Sequence, residues 1–475
     1  MNKTLSNFIY QSIFQITKLL LPFITIPIVS KALGPSGVGV YNYTNSIARY
    51  FVLVAGLGIG IYGNRQIAIN RDSELKLSKT FWEIFLMSFI ISVVSLLTYF
   101  VVVSFSEDRV YFYYQSLIIF AAVFDISWFF MGVEDFKKSS LSSLGGQLIS
   151  FILIVLFVKD KDDLGIYILI QGINILFSQL IMWAFIKKYI TFIRASFKSV
   201  LKHFFPALQY FIPKIAIILY TNLNKTLLGW LDTSEAVGFY SNTVQINGIL
   251  VTLITTLDLV LLPKMSNLFS QRRINEILKV LKYSIHLQLF FSIPLAFGLL
   301  TIAPKFVPWF FGTRFEFITK TIPLVAPLIV VIPLGIAVGR QYLVPMNRVK
   351  VYNMAVINGA VVSIVTNFAL IPIVGIYGAI TATILAELFV TVTRMYAFIK
   401  ESSFKFNIPM IFKSVISGLV MYLITSRFTL DWSASIKTTV VQVIVGVIIY
   451  MVLMTLLKAN PLYELIKSRG KSFIN

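Results

Sequence analysis

The sequence predicts an all-α polytopic membrane protein of about fourteen transmembrane helices. Three observations carry this. Hydrophobic residues fill 57% of the 475 positions, mean hydropathy is +0.84, and 13% of residues are charged. A water-soluble chain of this length has no interior that could hide so much apolar surface, whereas spanning helices present it to lipid. Apolar runs of spanning length recur from one end of the chain to the other. The basic residues, finally, gather in alternate loops.

The first two spans, 8–30 and 38–62, are joined by the turn Lys31-Ala32-Leu33-Gly34-Pro35-Ser36-Gly37. The others are expected at 81–103, 111–131, 140–158, 164–186, 207–230, 237–262, 284–303, 320–344, 352–371, 377–397, 411–426 and 436–457. With the N-terminus in the cytoplasm, the inward segments hold about 25 Lys/Arg and the outward loops about 6, as the positive-inside rule requires. An even number of spans then places both termini inside the cell membrane. The first span contains Lys18 and runs straight into a second, which suits a retained helix rather than a cleaved signal. The net charge of +21 therefore reads as a basic face on anionic lipid, not as nucleic-acid binding. Cysteine is absent, which excludes disulfides and thiolate chemistry.

Two inward segments read as amphipathic surface helices. Over 187–206, Phe197, Val200, Leu201 and Phe204 recur at helical spacing while Lys198 and Lys202 occupy another face. Over 270–283, Ile274, Ile277, Leu278 and Leu281 oppose Arg272, Arg273, Lys279 and Lys282. An internal repeat appears at an offset of 199 residues: Val38-Gly39-Val40-Tyr41 matches Val237-Gly238-Phe239-Tyr240, and Thr44 matches Thr243. A six-helix unit used twice would give an N-lobe at 1–186, the basic linker helix at 187–206, a C-lobe at 207–400, and two added helices with a basic tail at 401–475.

Polar residues inside the spans mark the candidate site. A cation at mid-membrane costs roughly 2.5–3.5 kcal/mol on insertion scales and calls for a partner or a purpose. At about 100° per residue, Gln11, Gln15 and Lys18 form one stripe on the first span, and Asn42, Asn45 and Arg49 form another on the second. Lys214, Thr221 and Lys225 align on the seventh, Gln245, Thr252 and Thr255 on the eighth. These stripes suggest one wet cavity whose cations hold an anionic substrate, with Lys18, Arg49, Lys214, Gln15, Asn45 and Lys225 as its substrate-binding residues. Lys225 and Arg340 lie near span ends and also fit snorkelling or structural pairing. Gly248 stands where the repeat would place Arg49, so the site is asymmetric. Among the buried acids Asp125, Asp258 and Glu387, the first could be a proton or cation site or hold a neighbouring helix. Glu387 shares a face with Arg394, which suits a local network or ion coupling. His286 reads as a surface residue.

Other motifs fall away. Lys159-Asp160-Lys161-Asp162-Asp163 resembles the Asp-x-Asp of sugar-nucleotide enzymes but reads as solvated charge in an outward loop. No Gly-rich phosphate loop with Lys-Ser/Thr is present, and two histidines without cysteine give no transition-metal ligand set. No cofactor is implied. The glycines in Gly56-Leu57-Gly58-Ile59-Gly60 permit close packing or a bend.

The run Leu20-Leu21-Pro22-Phe23-Ile24-Thr25-Ile26-Pro27, followed by Leu33-Gly34-Pro35-Ser36-Gly37-Val38-Gly39-Val40-Tyr41, resembles the opening of the polysaccharide transporter (oligosaccharide flippase) family. That family shares a superfamily with multidrug and toxic compound extruders and lipid II flippases. Gly375-Ile376-Tyr377-Gly378-Ala379-Ile380-Thr381-Ala382-Thr383 is similar to another of its segments. The resemblance implies a two-lobed, V-shaped bundle, without enzymatic activity, that passes a polyprenyl-linked oligosaccharide between leaflets by alternating access. Members from low-GC Gram-positive bacteria are similar in their basic, cysteine-free composition, and their cargo would be a capsule or teichoic acid unit. A polymerase or ligase of the same pathway would be a partner. The competing expectations are a cation-coupled multidrug exporter of that superfamily and a membrane enzyme acting on lipid-linked glycans. Basic stripes count against the first, and the apolar outward loop at 304–319 counts against the second.

Overall fold

The computed structural model describes residues 3–106, 109–402 and 404–461. Side chains at 3–20 and at 212, 213, 216, 217 and 220 lie outside the described residues. The chain is all-α and forms two compact units, Met1–Gly238 and Phe239–Asn475. In order, the helices are α1 (Lys3–Gly56), α2 (Ile59–Asn70), α3 (Glu74–Val103), α4 (Arg109–Val123), α5 (Ser127–Gly132), α6 (Phe136–Phe157), α7 (Leu164–Ile186), α8 (Phe197–Leu201) and α9 (Phe204–Leu231). α10 (Ser234–Ser270), α11 (Ile274–Phe310), α12 (Ile318–Val325), α13 (Leu328–Val338), α14 (Val349–Val374), α15 (Ile376–Ser402), α16 (Ile408–Phe428) and α17 (Ile436–Leu456) follow.

Among the described residues, twelve elements are long and apolar enough to cross a membrane. The first of them holds two spans, because α1 breaks at Gly34, whose φ of 67° and ψ of −179° leave the helical region just before Pro35. α9, with Lys214, Asn222, Asn224 and Lys225 in its body, completes the fourteen. The second span ends in another bend. Leu57 and Gly58 have positive φ, and a Cβ on Gly58 would stand 2.4 Å from the Ala207 carbonyl oxygen, so glycine there lets α9 approach the turn. The fourth predicted span divides into α4 and α5. The Asp125 carboxylate accepts from Ser127 N at 2.9 Å, and the Asp125 carbonyl accepts from Trp128 Nε1 at 2.9 Å, so the turn between the helices keeps its polar groups satisfied.

The helices are apolar toward lipid and small or polar toward one another. On α3, Val94, Leu97 and Val101 are exposed, while Ser88, Ser92 and Ser95 are buried on the opposite face. Ser95 Oγ donates to the Phe51 carbonyl at 2.8 Å and Ser92 Oγ to that of Ala55 at 3.4 Å, tying α3 to α1. Without a hydrophobic drive between helices in lipid, such close packing and cross-helix hydrogen bonds hold the bundle. An aromatic core of Phe81, Trp128, Phe129 and Trp183 packs inside the first unit. In the second unit, Ile277, Leu281, Ile285, Leu343 and Phe398 form the comparable core.

The repeat has a structural signature. A Cβ on Gly39 would fall 1.6 Å from the Ser234 carbonyl oxygen, and one on Gly238 would fall 2.1 Å from that of Pro35. Pro35 and Ser234 are themselves 199 residues apart, so the two close approaches are reciprocal.

Both predicted surface helices change. In the linker, Phe197–Leu201 and the start of α9 from Phe204 are helical. Residues 190–196 have no regular secondary structure, because Thr191 N donates to Ser78 Oγ at 3.0 Å and Trp82 Nε1 donates to the Thr191 carbonyl at 3.0 Å, claiming backbone groups a helix would need. Tyr189 donates to Asp135. Burial and that carboxylate push its phenol up to about 12. The segment after Ser270 is a turn continuing into α11, where Ile277 and Leu281 are fully buried in the second unit's core. Of its apolar stripe, Ile277 and Leu281 face protein, Leu278 is half-buried and Ile274 is exposed.

Candidate functional site

The second half of α1 carries Tyr41, Asn42, Thr44, Asn45, Ser46, Arg49 and Tyr50, spaced so that several face α4 and α9. Arg49 Nε donates to Asn45 Oδ1 at 2.7 Å. Asn45 Nδ2 in turn donates to Gln115 Oε1 of α4 at 3.2 Å, and Gln115 Nε2 reaches Thr44 Oγ1 at 3.3 Å and the Tyr41 carbonyl at 3.4 Å. One turn earlier, Lys225 Nζ of α9 donates to Asn42 Oδ1 at 3.0 Å, while Asn42 Nδ2 is anchored on the Val38 carbonyl at 2.9 Å. The neighbouring Thr226 hydroxyl bonds Ser46 at 2.8 Å and Tyr50 at 2.9 Å, locking α9 in this rotation. Arg49 is within Coulombic reach of Lys225 and of Tyr41.

Two cations therefore meet with only neutral oxygens for partners. The ion pairs among the described residues involve Arg71, Lys202, His203, Arg273 and Arg348, and none involves Arg49, Lys214 or Lys225. Arg49 is exposed on the first unit and engages its Nε in the contact above. Among the described residues, no partner engages its two terminal nitrogens, the fork that matches a phosphate. Such a cluster can grip an oxyanion.

The other expected residues lie as follows. Lys18 and Gln15 are within α1, but their side chains lie outside the described residues. Lys214 is half-buried beside α2, where a Cβ on Gly60 would be 3.5 Å from Nζ. Lys225 is turned into the bundle toward Asn42 of α1. Asp125 belongs to the α4–α5 turn described above. Glu387 is half-buried on α15, and on the same helix Arg394 donates to the Gly335 carbonyl at 3.3 Å and lies 4.2 Å from the Tyr352 ring centroid. His286 is buried rather than on the surface. Its Nε2 accepts from Asn407 N at 3.2 Å, because α11 begins at Ile274, ahead of the predicted span, and packs its histidine against the 404–407 segment.

Sequence reasoning missed one charged cluster. Glu83 is 1% exposed and its Oε2 meets Lys202 Nζ at 2.8 Å and His203 Nε2 at 3.0 Å. Tyr62 OH shares a 2.6 Å hydrogen bond with His203 Nδ1. Burial lowers the His203 pKa, Lys202 lowers it further, and Glu83 opposes both. An acid just inside the predicted span 81–103 was the available signal, and its partners lie 120 residues away in the linker.

This fold and chemistry have known counterparts. The structure is similar to that of the lipid II flippase MurJ in its inward closed conformation, with a TM-score of 0.76 at 15% identity over 94% of this chain and 98% of that one. It is also similar to an inward-facing multidrug resistance MATE family transporter of the MOP superfamily, with a TM-score of 0.61 at 15% identity, covering 83% and 99% of the two chains. In sequence it is 23% identical over 406 residues to a protein of Escherichia coli (strain K12) named as an O-antigen transporter, spanning 83% of this chain and 96% of that protein. Residues 4–269, more than half of the chain, match the family described as polysaccharide biosynthesis protein, and with the fold and the multi-pass architecture in agreement, the chain belongs to that family.

Proposed function

We propose that this protein is a flippase that moves a polyprenyl-(pyro)phosphate-linked oligosaccharide repeat unit from the inner to the outer leaflet by alternating access. The observation that carries the reading is the Arg49–Lys225 cluster, cations held by asparagine oxygens with no carboxylate to neutralise them. A phosphate group would supply the missing negative charge, and in a low-dielectric surrounding its charge-assisted hydrogen bonds are strong. Arg49 would take the bidentate grip, with Lys225, Lys18 and Lys214 as point charges and Gln15 and Asn45 as orienting amides. The lobes would be 1–186 and 207–400, with 401–475 appended. The relative in Escherichia coli and one in Haloferax volcanii named as a low-salt glycan biosynthesis flippase support a glycan cargo. The basic inward loops support a cell-membrane location with both termini in the cytoplasm and anionic lipid against the basic face. A capsule or teichoic acid unit in a Gram-positive host fits the composition. Glu387 and Asp125 are the ion-coupling candidates outside the cation cluster.

A cation-coupled drug exporter is disfavoured by the same cluster, since organic cations need acidic, aromatic surroundings. The test is depletion of the protein in its host, followed by mass spectrometry of lipid-linked intermediates. A polyprenyl-linked glycan that accumulates on the inner leaflet is the expected result. Unchanged intermediates together with ethidium sensitivity would replace this reading by the exporter.

A further inference from the structure

The second unit carries an uncharged counterpart of the cation stripe. On α10, Ser241 and Gly248 stand 199 residues beyond Asn42 and Arg49, and no charged residue occurs between Glu235 and Asp258. At about 100° per residue, Ser241, Gln245, Gly248, Thr252 and Thr256 fall within about 80° of one another, on one face of the helix. From 241 to 256 the exposed residues are Gln245, Gly248, Thr252, Thr256 and, at the edge of that face, Leu253.

This face lacks the chemistry of a lipid-facing surface. On α17 of the same unit, the exposed residues from 440 to 448 are Val440, Val443, Ile444, Val447 and Ile448. A glutamine amide exposed in the body of a span belongs instead against water or a polar ligand. Thr252 Oγ1 donates to the Gly248 carbonyl at 2.7 Å, and Thr256 Oγ1 donates to the Thr252 carbonyl at 2.8 Å. Both hydroxyl protons are thus engaged by the helix itself, and the two oxygens face outward as acceptors. The Gln245 amide offers donors and an acceptor beside them.

Two further observations point to an occupant. Glycine weakens a helix interior and is tolerated in spans for close packing, yet a Cβ on Gly248 would meet nothing within 4 Å. Packing therefore does not explain this glycine, and the space before it is open. Ser241, one turn before Gln245 on the same face, is 3% exposed, and no group among the described residues bonds its Oγ. A buried hydroxyl of this kind calls for a partner. A ligand that suits the face is uncharged where it touches α10 and rich in hydroxyl groups, which is the chemistry of a sugar. We propose that this face of α10 contacts the glycan part of the cargo and that Gly248 sets how large a glycan is admitted. The inference rests on the flippase reading above, in which cations of the first unit take the phosphate.

In host cells depleted of the native copy, wild type or variant is expressed at matched level with one of two cargoes on the same polyprenyl pyrophosphate: the complete repeat unit, or its first sugar alone. The share of each lipid oxidised by mild periodate on intact, ice-cold cells, read by mass spectrometry, measures its export. Gly248→Leu should lower the ratio of complete-unit to one-sugar export tenfold or more, because leucine fills the open space. Gln245→Leu and Thr252→Val should lower that ratio severalfold. Arg49→Glu should reduce both exports together. If Gly248→Leu does not accumulate in the membrane, Gln245→Leu, which leaves the backbone unaltered, carries the test with the same sign. A ratio that keeps its wild-type value in these α10 variants, whether both exports persist or both fall, overturns the glycan face and leaves the flippase reading standing. A wild-type protein that exports neither lipid above the depleted control overturns both.

Discussion

Arg49 and Lys225 in the first unit, and Asp258 in the second, are charges of opposite sign handled by one device: neutral side-chain amides, from the same helix for Arg49 and from a neighbouring helix or turn for the other two. In the first unit, asparagine oxygens accept from the cations. In the second, glutamine nitrogens donate to the acid. The 199-residue offset puts Ser241, Val244 and Gly248 where Asn42, Asn45 and Arg49 stand, so the charge is not repeated. What is repeated is packing. Thr44 and Thr243 each return a hydroxyl hydrogen bond to the carbonyl four residues back, and Gly39 and Gly238 make the reciprocal close approach. The difference teaches that helix contact constrains small residues and local hydrogen bonds, whereas a charge held by amides contributes little to packing and can diverge with the ligand.

If the first cluster exists to grip an anion, reversing its sign has the largest effect. Arg49→Glu should reduce translocation of the lipid-linked glycan a hundredfold or more at equal protein level, with Arg49→Lys intermediate because a point charge lacks the fork. Surface polymer measured at matched expression checks this, and full activity in Arg49→Glu would remove Arg49 from the site. A smaller effect separates holding the cation from using it. Asn42→Leu takes the described acceptor from Lys225 and should cost about 1.5–3 kcal/mol, read as a lowered unfolding midpoint in detergent. Asn42→Asp should retain that stability while slowing transport, since it neutralises the lysine in place. Loss of stability without a transport defect in Asn42→Asp would make the cluster structural.

The Glu83 cluster, where an acid does meet cations, sharpens the contrast and gives the smallest effect. His203 is held below its ordinary pKa, so the unfolded chain binds the extra proton, and stability rises with pH through this group. Its contribution is complete above the usual histidine pKa of about 6.5 and fades as pH falls toward the folded value. The unfolding midpoint should therefore drop between pH 7.5 and pH 5.5, and His203→Gln should flatten that part of the profile.

Much of the architecture was legible in residue order. The span expected at 164–186 matches α7, and that at 436–457 matches α17 to within a residue, because twenty apolar residues with no water to bond must close their own hydrogen bonds as a helix. The breaks at Gly34 and Gly58 were legible as Gly/Pro punctuation. The linker was misread because its apolar period is genuine over Phe197–Leu201, while the stretch before it answers to Ser78 and Trp82 on α3. His286 was misread because the sequence marks where a span begins but not that the helix runs on into a covered end.

The sequence by itself determined the all-α membrane architecture and the approximate place of most spans, since hydropathy and backbone satisfaction are properties of short local segments. Only the tertiary structure decided which polar groups meet. Lys225 finds Asn42 across 183 residues, Glu83 finds His203 across 120, and Asp258 finds Gln341 across 83. Those meetings depend on how each helix is rotated about its axis and which helix lies beside it, and long-range packing sets both.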